Sequence, residues 1–200
     1  MLVHGGAVDP RAWQPASRHL GEGWRTATPL RPSVDHVADL LERGTVLVGA
    51  SMGGGLALAA AARHPALVER LVLVAPLVPC APVTFDTARL QRLADAAAAG
   101  PAGFATALLD DPWFAAGLTD PAARDALRTM VEDNAPGRPD RGPWAPPELS
   151  VAALAQLTVP TVVVIGELDD PANTAMSTWT ARHIPGARLQ VAAGVGHVVE

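Results

Sequence analysis

Short apolar runs, most of them followed by a helical stretch, set the architecture of this chain. Met1–Val3, Trp24–Thr28, Thr45–Val48, Leu71–Val74, Pro160–Ile165 and Arg188–Ala192 read as strands. Most are rich in Val and Leu at every position rather than at alternate ones, the pattern of strands buried on both faces. Pro15–Leu20, Val34–Glu42, Leu56–Arg63 and Ala172–His183 read as crossover helices between them. The alternation predicts a three-layer α/β/α domain around a mostly parallel sheet of about six strands.

The rhythm breaks once. Residues 77–157 hold no convincing strand, are rich in Ala and Pro, and carry scattered aromatics. Helices are expected at Arg89–Ala99, Ala102–Leu109 and Pro121–Asp133, the last opened by Asp120 as N-cap with Pro121 behind it. The simplest reading is a helical cap inserted over the C-terminal edge of the sheet. Arg138–Pro147, with four prolines, would be its return linker. Residues 1–76 and 158–200 would then form the core.

Composition narrows the class. A chain of 200 residues, 49% of them hydrophobic, fits one globular domain with a sizeable core. The formal net charge is -5 and no basic run appears, which argues against nucleic acid as a partner. Cys80 stands alone, so no disulfide can staple the fold, and a reducing compartment suits it. Met1–Gly6 lacks the basic region and long apolar run of a signal peptide, and no apolar stretch reaches membrane-spanning length. The expectation is a cytoplasmic protein acting on a small molecule, away from membranes.

The chemistry gathers at Gly49-Ala50-Ser51-Met52-Gly53. This Gly-x-Ser-x-Gly block lies between an expected strand and an expected helix, a corner that pushes a serine hydroxyl out of the sheet edge. The turn is sharp enough that side chains two residues either side would collide with backbone. A serine hydroxyl needs a base to take its proton, and the base needs a partner to fix its tautomer. Both are available after later strands. Asp169 follows the apolar run ending at Gly166, and His197 follows Gly194-Val195-Gly196 beyond the last strand. Asp170 competes with Asp169, either could instead cap the helix starting near Pro171, and Glu167 is a remoter candidate; the Gly-x-x-Asp spacing favours Asp169. Two backbone N–H groups are also required for a developing oxyanion. Met52, at the helix start, and Gly6, in the His4-Gly5-Gly6 loop after the first strand, are the expected donors.

Other readings of these residues are plainer. Ser51 could be a helix cap, and His197 a loop histidine. His4 is expected to be buried and hydrogen-bonded, His64 to sit at a helix end, and His19, His36 and His183 to lie on helix surfaces. Trp113, Phe114 and Trp144 fall evenly between cap core and substrate-pocket wall. Cys80 reads as a small buried filler rather than a reactive thiol. Gly49–Gly55 does not match a nucleotide-binding loop, and no His, Asp and Cys cluster has metal-ligand spacing.

The chain resembles the α/β-hydrolase fold family. The matching signatures are His4-Gly5-Gly6 with Trp13 downstream, Gly49–Gly53, Gly166-Glu167-Leu168-Asp169 and Gly194-Val195-Gly196-His197. Arg63-His64-Pro65 before Val68–Leu73 is similar as well, so the resemblance covers nearly all of the chain. It implies an esterase, lactonase or related hydrolase with a serine nucleophile and neither metal nor organic cofactor. The family also includes C–C bond hydrolases, acyltransferases and enzymes of the perhydrolase or haloperoxidase type, and an inactive or truncated hydrolase-like protein is a further alternative. Set beside the family, the chain lacks the first two strands and the final helix. One flank of the last strand should therefore be uncovered, and His197 should sit three residues from a frayable end.

Overall fold

The structure is a computed structural model and describes residues 1–20, 22–27, 33–136 and 146–198. Its strands are β1 (Leu2–Val3), β2 (Thr26–Ala27), β3 (Thr45–Ala50), β4 (Val68–Val74), β5 (Thr161–Gly166) and β6 (Arg188–Ala192). They form one sheet in the order β2-β1-β3-β4-β5-β6, and every neighbouring pair is parallel. The helices are α1 (Gln14–Ser17), α2 (Val34–Asp39), α3 (Met52–Arg63), α4 (Thr87–Ala98), α5 (Pro101–Leu109), α6 (Pro121–Asp133), α7 (Val151–Ala155) and α8 (Pro171–His183).

Alternate residues of the central strands serve two different clusters, which is why their sequences are apolar throughout. Leu47, Leu71, Leu73 and Val163 pack with Leu56–Ala61 of α3 and with side chains of α2, α7 and α8. Burying a leucine of this kind contributes about 1.5–3 kcal/mol. Ala50 and Val74 turn to the other face, towards Leu2 and Trp13, joined by Val48, Val72 and Val164.

Burial on both faces, expected from the apolar runs, holds fully for the first face only. Val48, Val72 and Val164 are half-buried, and β6 is more open still, with Leu189 40% and Val191 57% exposed. The cause is position: β6 is an edge strand, paired to β5 alone, with α8 as its helical neighbour. The uncovered flank expected for the last strand is present.

Element ends differ from expectation in physically traceable ways. The helix expected at Pro15–Leu20 begins earlier, because Asp9 caps a 3-10 turn at Pro10–Trp13 that leads into the single turn of α1. The strand expected at Trp24–Thr28 is reduced to Thr26–Ala27, and Thr28 lies outside the described residues. Helix α3 starts four residues before Leu56, because Gly53, Gly54 and Gly55 form its first turn instead of a loop. A side chain on Gly53 would collide with the carbonyls of Val3 and His4, on Gly54 with Pro76, and on Gly55 with the Leu77 carbonyl. Glycine costs about 1 kcal/mol in a helix, and here it lets the first turn of α3 press against two neighbouring segments, the end of β1 and the chain just after β4.

Between β4 and β5, α5 packs against both α4 and α6. These helices form their own cluster of Phe104, Leu108, Leu109, Phe114, Leu127, Met130 and Val131, which also takes in Val8 and Ala12 from the segment after β1. Helix α7 was not among the helices expected in 77–157. It is capped by Ser150 and sends the fully buried Leu154 into the main core. Among the described residues no helix is long and apolar enough to cross a membrane.

Candidate active site

Ser51 sits at the corner between β3 and α3 with φ 50° and ψ -118°, a conformation L-residues rarely adopt. Strain of this kind costs about 1–3 kcal/mol and persists only where neighbours hold it. Here they do. Ser51 N–H donates to the Val74 carbonyl at 2.8 Å, and the Ser51 carbonyl accepts from Leu77 N–H at 2.8 Å and Gly55 N–H at 3.2 Å. The glycine requirement is steric as expected, since a side chain on Gly49 would strike the Gly53 carbonyl and Ala57. The hydroxyl of Ser51 makes no cap hydrogen bond with α3, so the helix-cap reading does not describe it.

The loop after β1 lies against this corner. A Cβ built on Gly5 would stand 3.4 Å from the Ser51 Cβ, and one on Gly6 would overlap the Met52 side chain. Gly6 and Met52 are therefore neighbours beside Ser51. His4 is buried, and its Nδ1 lies 2.8 Å from the Gly5 carbonyl. Further along, Asp9 ties the loop to the end of α6, accepting from the Asn134 amide at 2.8 Å and from Arg11 Nη2 at 2.6 Å. Arg11 donates in turn to Asp133 at 2.8 Å.

His197 and Asp169 meet. Nδ1 of the ring stands 2.9 Å from Asp169 Oδ2, and the Asp169 side chain has no solvent exposure while His197 keeps 17%. The other oxygen, Oδ1, accepts from Asp170 N–H at 2.6 Å and from the Asn173 side-chain amide at 2.8 Å. Asp170 faces elsewhere. It caps α8 through Ala172 N–H at 2.6 Å and accepts from Arg89 Nη1 at 2.8 Å. Glu167 accepts from Gly194 N–H at 2.8 Å and so braces the histidine loop. Among the described residues no hydrogen bond joins Ser51 to His197. Such contacts are often long before substrate arrives, and Nε2 is the ring nitrogen left facing away from Asp169.

The backbone around His197 is anchored to the segment between α5 and α6. Gly196, His197 and Val198 donate their N–H groups to the carbonyls of Ala116, Trp113 and Phe114 at 2.8, 2.9 and 3.1 Å. The approach is close enough that a side chain on Gly196 would collide with the Trp113 carbonyl. Three consecutive bonds thus hold residues 196–198, while the last two residues lie outside the described ones.

Beneath lies a buried ionic group that the sequence did not signal. Arg89, on α4, donates to Asp111 through Nε at 2.6 Å and Nη2 at 3.1 Å, besides its bond to Asp170. Burial alone would lower its proton affinity, but the bonds to Asp111 and the charges of Asp111, Asp170 and Asp169 outweigh that and hold the guanidinium above its ordinary range. Its carbon lies 5.4 Å from the Trp113 ring centroid, and Asp111 Oδ1 also accepts from Trp113 and Phe114 N–H.

Of the aromatics singled out, Phe114 is core and site neighbour at once, buried in the α4–α6 cluster with its ring centroid 6.0 Å from that of His197. Trp113 contributes its carbonyl and its ring face. Trp144 lies outside the described residues. Cys80 is half-buried rather than fully buried, and burial pushes its thiol up, away from reactivity. His183 is partly covered, stacked on Trp179 at 4.0 Å.

A serine on a strained corner after β3, a carboxylate after β5 and a histidine after β6 follow the chain order of one family's active sites. A model of the alpha/beta hydrolase family matches residues 1–200. The chain belongs to the alpha/beta hydrolase family. Among curated relatives, it is 30% identical over 240 aligned positions to the pimeloyl-[acyl-carrier protein] methyl ester esterase of Aromatoleum aromaticum, covering 98% of this chain and 90% of that one. Among solved structures of the same fold, the carboxylesterase CesB of Bacillus subtilis superposes with a TM-score of 0.71 at 19% identity, covering 99% of this chain and 76% of that one. A bromoperoxidase of Bacillus anthracis superposes with a TM-score of 0.75 at 18% identity, covering 99% and 84%. The solved structures share the parallel-sheet fold described above, and this chain is an enzyme of the alpha/beta hydrolase family.

Proposed function

We propose that this enzyme is a serine esterase that cleaves a carboxylic ester, or a related acyl bond, of a small molecule. The observation that carries the reading is the 2.9 Å contact between His197 Nδ1 and the buried carboxylate of Asp169. It leaves Nε2 as a base for a serine whose hydroxyl is not spent on capping its helix. In this reading Ser51 Oγ attacks the carbonyl carbon, and its proton passes to His197 Nε2. Asp169 keeps the proton on Nδ1 and stabilises the imidazolium that forms. The amides of Gly6 and Met52 receive the oxyanion, each worth about 3–4 kcal/mol in the transition state. The tetrahedral intermediate collapses, the leaving alkoxide takes the proton from Nε2, and an acyl-enzyme remains on Ser51. Water then attacks that ester with His197 again as base, releasing the acid and restoring the hydroxyl.

Residues 77–157 act as the lid in this proposal, and their apolar aromatics suit a small, fairly hydrophobic ester. An ester-cleaving relative at 30% identity supports the same substrate class. The test is labelling with a fluorophosphonate, followed by hydrolysis of p-nitrophenyl esters of increasing acyl length. Labelling of the wild type at Ser51, absent from Ser51→Ala, is the expected result. A folded wild type that neither labels nor cleaves any ester would overturn the reading.

A further inference from the structure

Two side chains address the same nitrogen of His197. Asp169 Oδ2 stands 2.9 Å from Nδ1, and the Asn173 amide nitrogen stands 3.1 Å from it. The orientation of that amide follows from its other contact. Asp169 Oδ1, 2.8 Å away, has no proton to give when ionised, so the group facing it is the NH₂ and not the carbonyl. A ring nitrogen has a single in-plane position, which carries either a proton or a lone pair. The carboxylate can pair only with the proton, whereas the amide N–H can pair only with the lone pair. Left alone, Asn173 would favour the tautomer with the proton on Nε2, which cannot accept from a serine. With both present the charged acceptor prevails, charge-assisted hydrogen bonds being roughly twice as strong as neutral ones.

We propose that Asn173 is a positioning residue for His197, and that a carboxylate placed at position 173 can take over the task of Asp169. The inference rests on the serine-hydrolase reading above. Asn173 is the third residue of α8, after Asp170 at the N-cap and Pro171, so its side chain points back at the loop that leads into the helix. Together with Asp170 N–H it holds Oδ1 of the carboxylate from one side, which leaves Oδ2 aimed at the ring. With the amide at position 169 and the carboxylate at position 173, Oδ1 of the amide goes on accepting from Asp170 N–H, so its NH₂ takes the place of Oδ2. The carboxylate at position 173 then puts an oxygen near Nδ1, where the Asn173 nitrogen stands at 3.1 Å, and a small rotation of the two side chains lets it accept from that NH₂.

The rate of fluorophosphonate labelling at Ser51 tests this without knowledge of the natural acyl group. Asp169→Asn is expected to slow the maximal labelling rate about 10³–10⁴-fold, as loss of the orienting acid does elsewhere. Adding Asn173→Asp is expected to recover at least about 30-fold of that loss, with the probe's half-saturating concentration unchanged. A residue that merely packs would not restore the rate when it gains a charge. A folded double variant no faster than Asp169→Asn overturns the inference while leaving the serine-hydrolase reading intact. An unlabelled wild type overturns that reading, and the inference with it. Should the double variant not fold, Asn173→Ala decides: a maximal rate about 5–20-fold lower at unchanged probe affinity supports the inference, and an unchanged rate overturns it.

Discussion

The backbone N–H of His197 donates to the carbonyl of Trp113 at 2.9 Å, which ties the loop carrying the proposed base to the segment between α5 and α6. The bond depends on the missing side chain at Gly196, where a Cβ would meet the Trp113 carbonyl and the Ala116 methyl. Gly196→Ala is therefore expected to push the histidine loop outward and to lower the proposed esterase activity at least about 100-fold, since a shift near 1 Å suffices for that. The sheet should survive, so circular dichroism and the melting temperature should change little. Full activity in this variant would show that the clasp does not position the base.

Ser51 combines a hydroxyl that does not cap α3 with a positive φ, and two substitutions separate them. Ser51→Ala removes the hydroxyl and keeps the strain, whereas Ser51→Gly removes both. Both should be inactive, with Ser51→Gly about 1 kcal/mol the more stable in urea denaturation. Equal stability, or a more stable alanine variant, would mean that the corner holds no strain at this residue.

The guanidinium of Arg89 is the counter-charge for two nearly inaccessible carboxylates, with Asp111 4% and Asp170 7% exposed. Arg89→Met keeps most of the volume and strands both of them. The expected loss is about 3–5 kcal/mol, the usual result of breaking a buried pair from one side. Arg89→Lys should cost less while retaining a charge. A measured loss below about 1 kcal/mol would indicate that water reaches these carboxylates.

Asp9 supplies a pH dependence. Burial would raise its proton affinity, but hydrogen bonds from Arg11 and Asn134 outweigh this and hold the carboxyl well below the usual range. A depressed native value contributes stability that is fully present above the unfolded value of about 3.9 and is lost as pH falls below it towards the native one. Asp9→Asn should therefore destabilise the protein by about 1 kcal/mol at neutral pH, a modest figure because Arg11 is half in solvent. The gap between wild type and variant should be constant above about pH 5 and close below about pH 4. Urea titrations at several pH values measure it, and a gap that widened on acidification would contradict the sign.

Much of this architecture is written locally. The apolar runs, the glycines around Ser51 and the glycine-loosened loop before His197 each declare themselves within a few residues, because buried parallel strands and sharp corners tolerate few side chains. The Gly-x-x-Asp spacing favours Asp169 locally, but the partner that occupies Asp170 is distant: Arg89, 81 positions earlier, pairs with it, while Asp169 turns to His197. Asp111 and Arg89 carry no mark in the sequence, since their meeting depends on how α4 and the end of α5 pack. Asn173 did carry one: a polar residue three positions after an N-cap aspartate faces the preceding loop. The openness of β6 does not follow from Leu189 and Val191 themselves, since apolar residues report what a strand can bury rather than what covers it.

Three strand-end loops of the site, after β1, β5 and β6, are hooked to the same helical segment: Asp9 to Asn134, Asp170 to Arg89, and Gly196–Val198 to Trp113–Ala116. If that segment is the lid proposed above, it is the part an engineer would exchange between relatives to alter substrate preference. In this chain such a graft would remove the carbonyls, the arginine and the amide that keep the loops in register. A chimera would have to transfer Arg89, Asp111, the Trp113–Ala116 carbonyls and Asn134 as one set, and a donor lacking any of them would yield a folded sheet with its chemistry out of alignment.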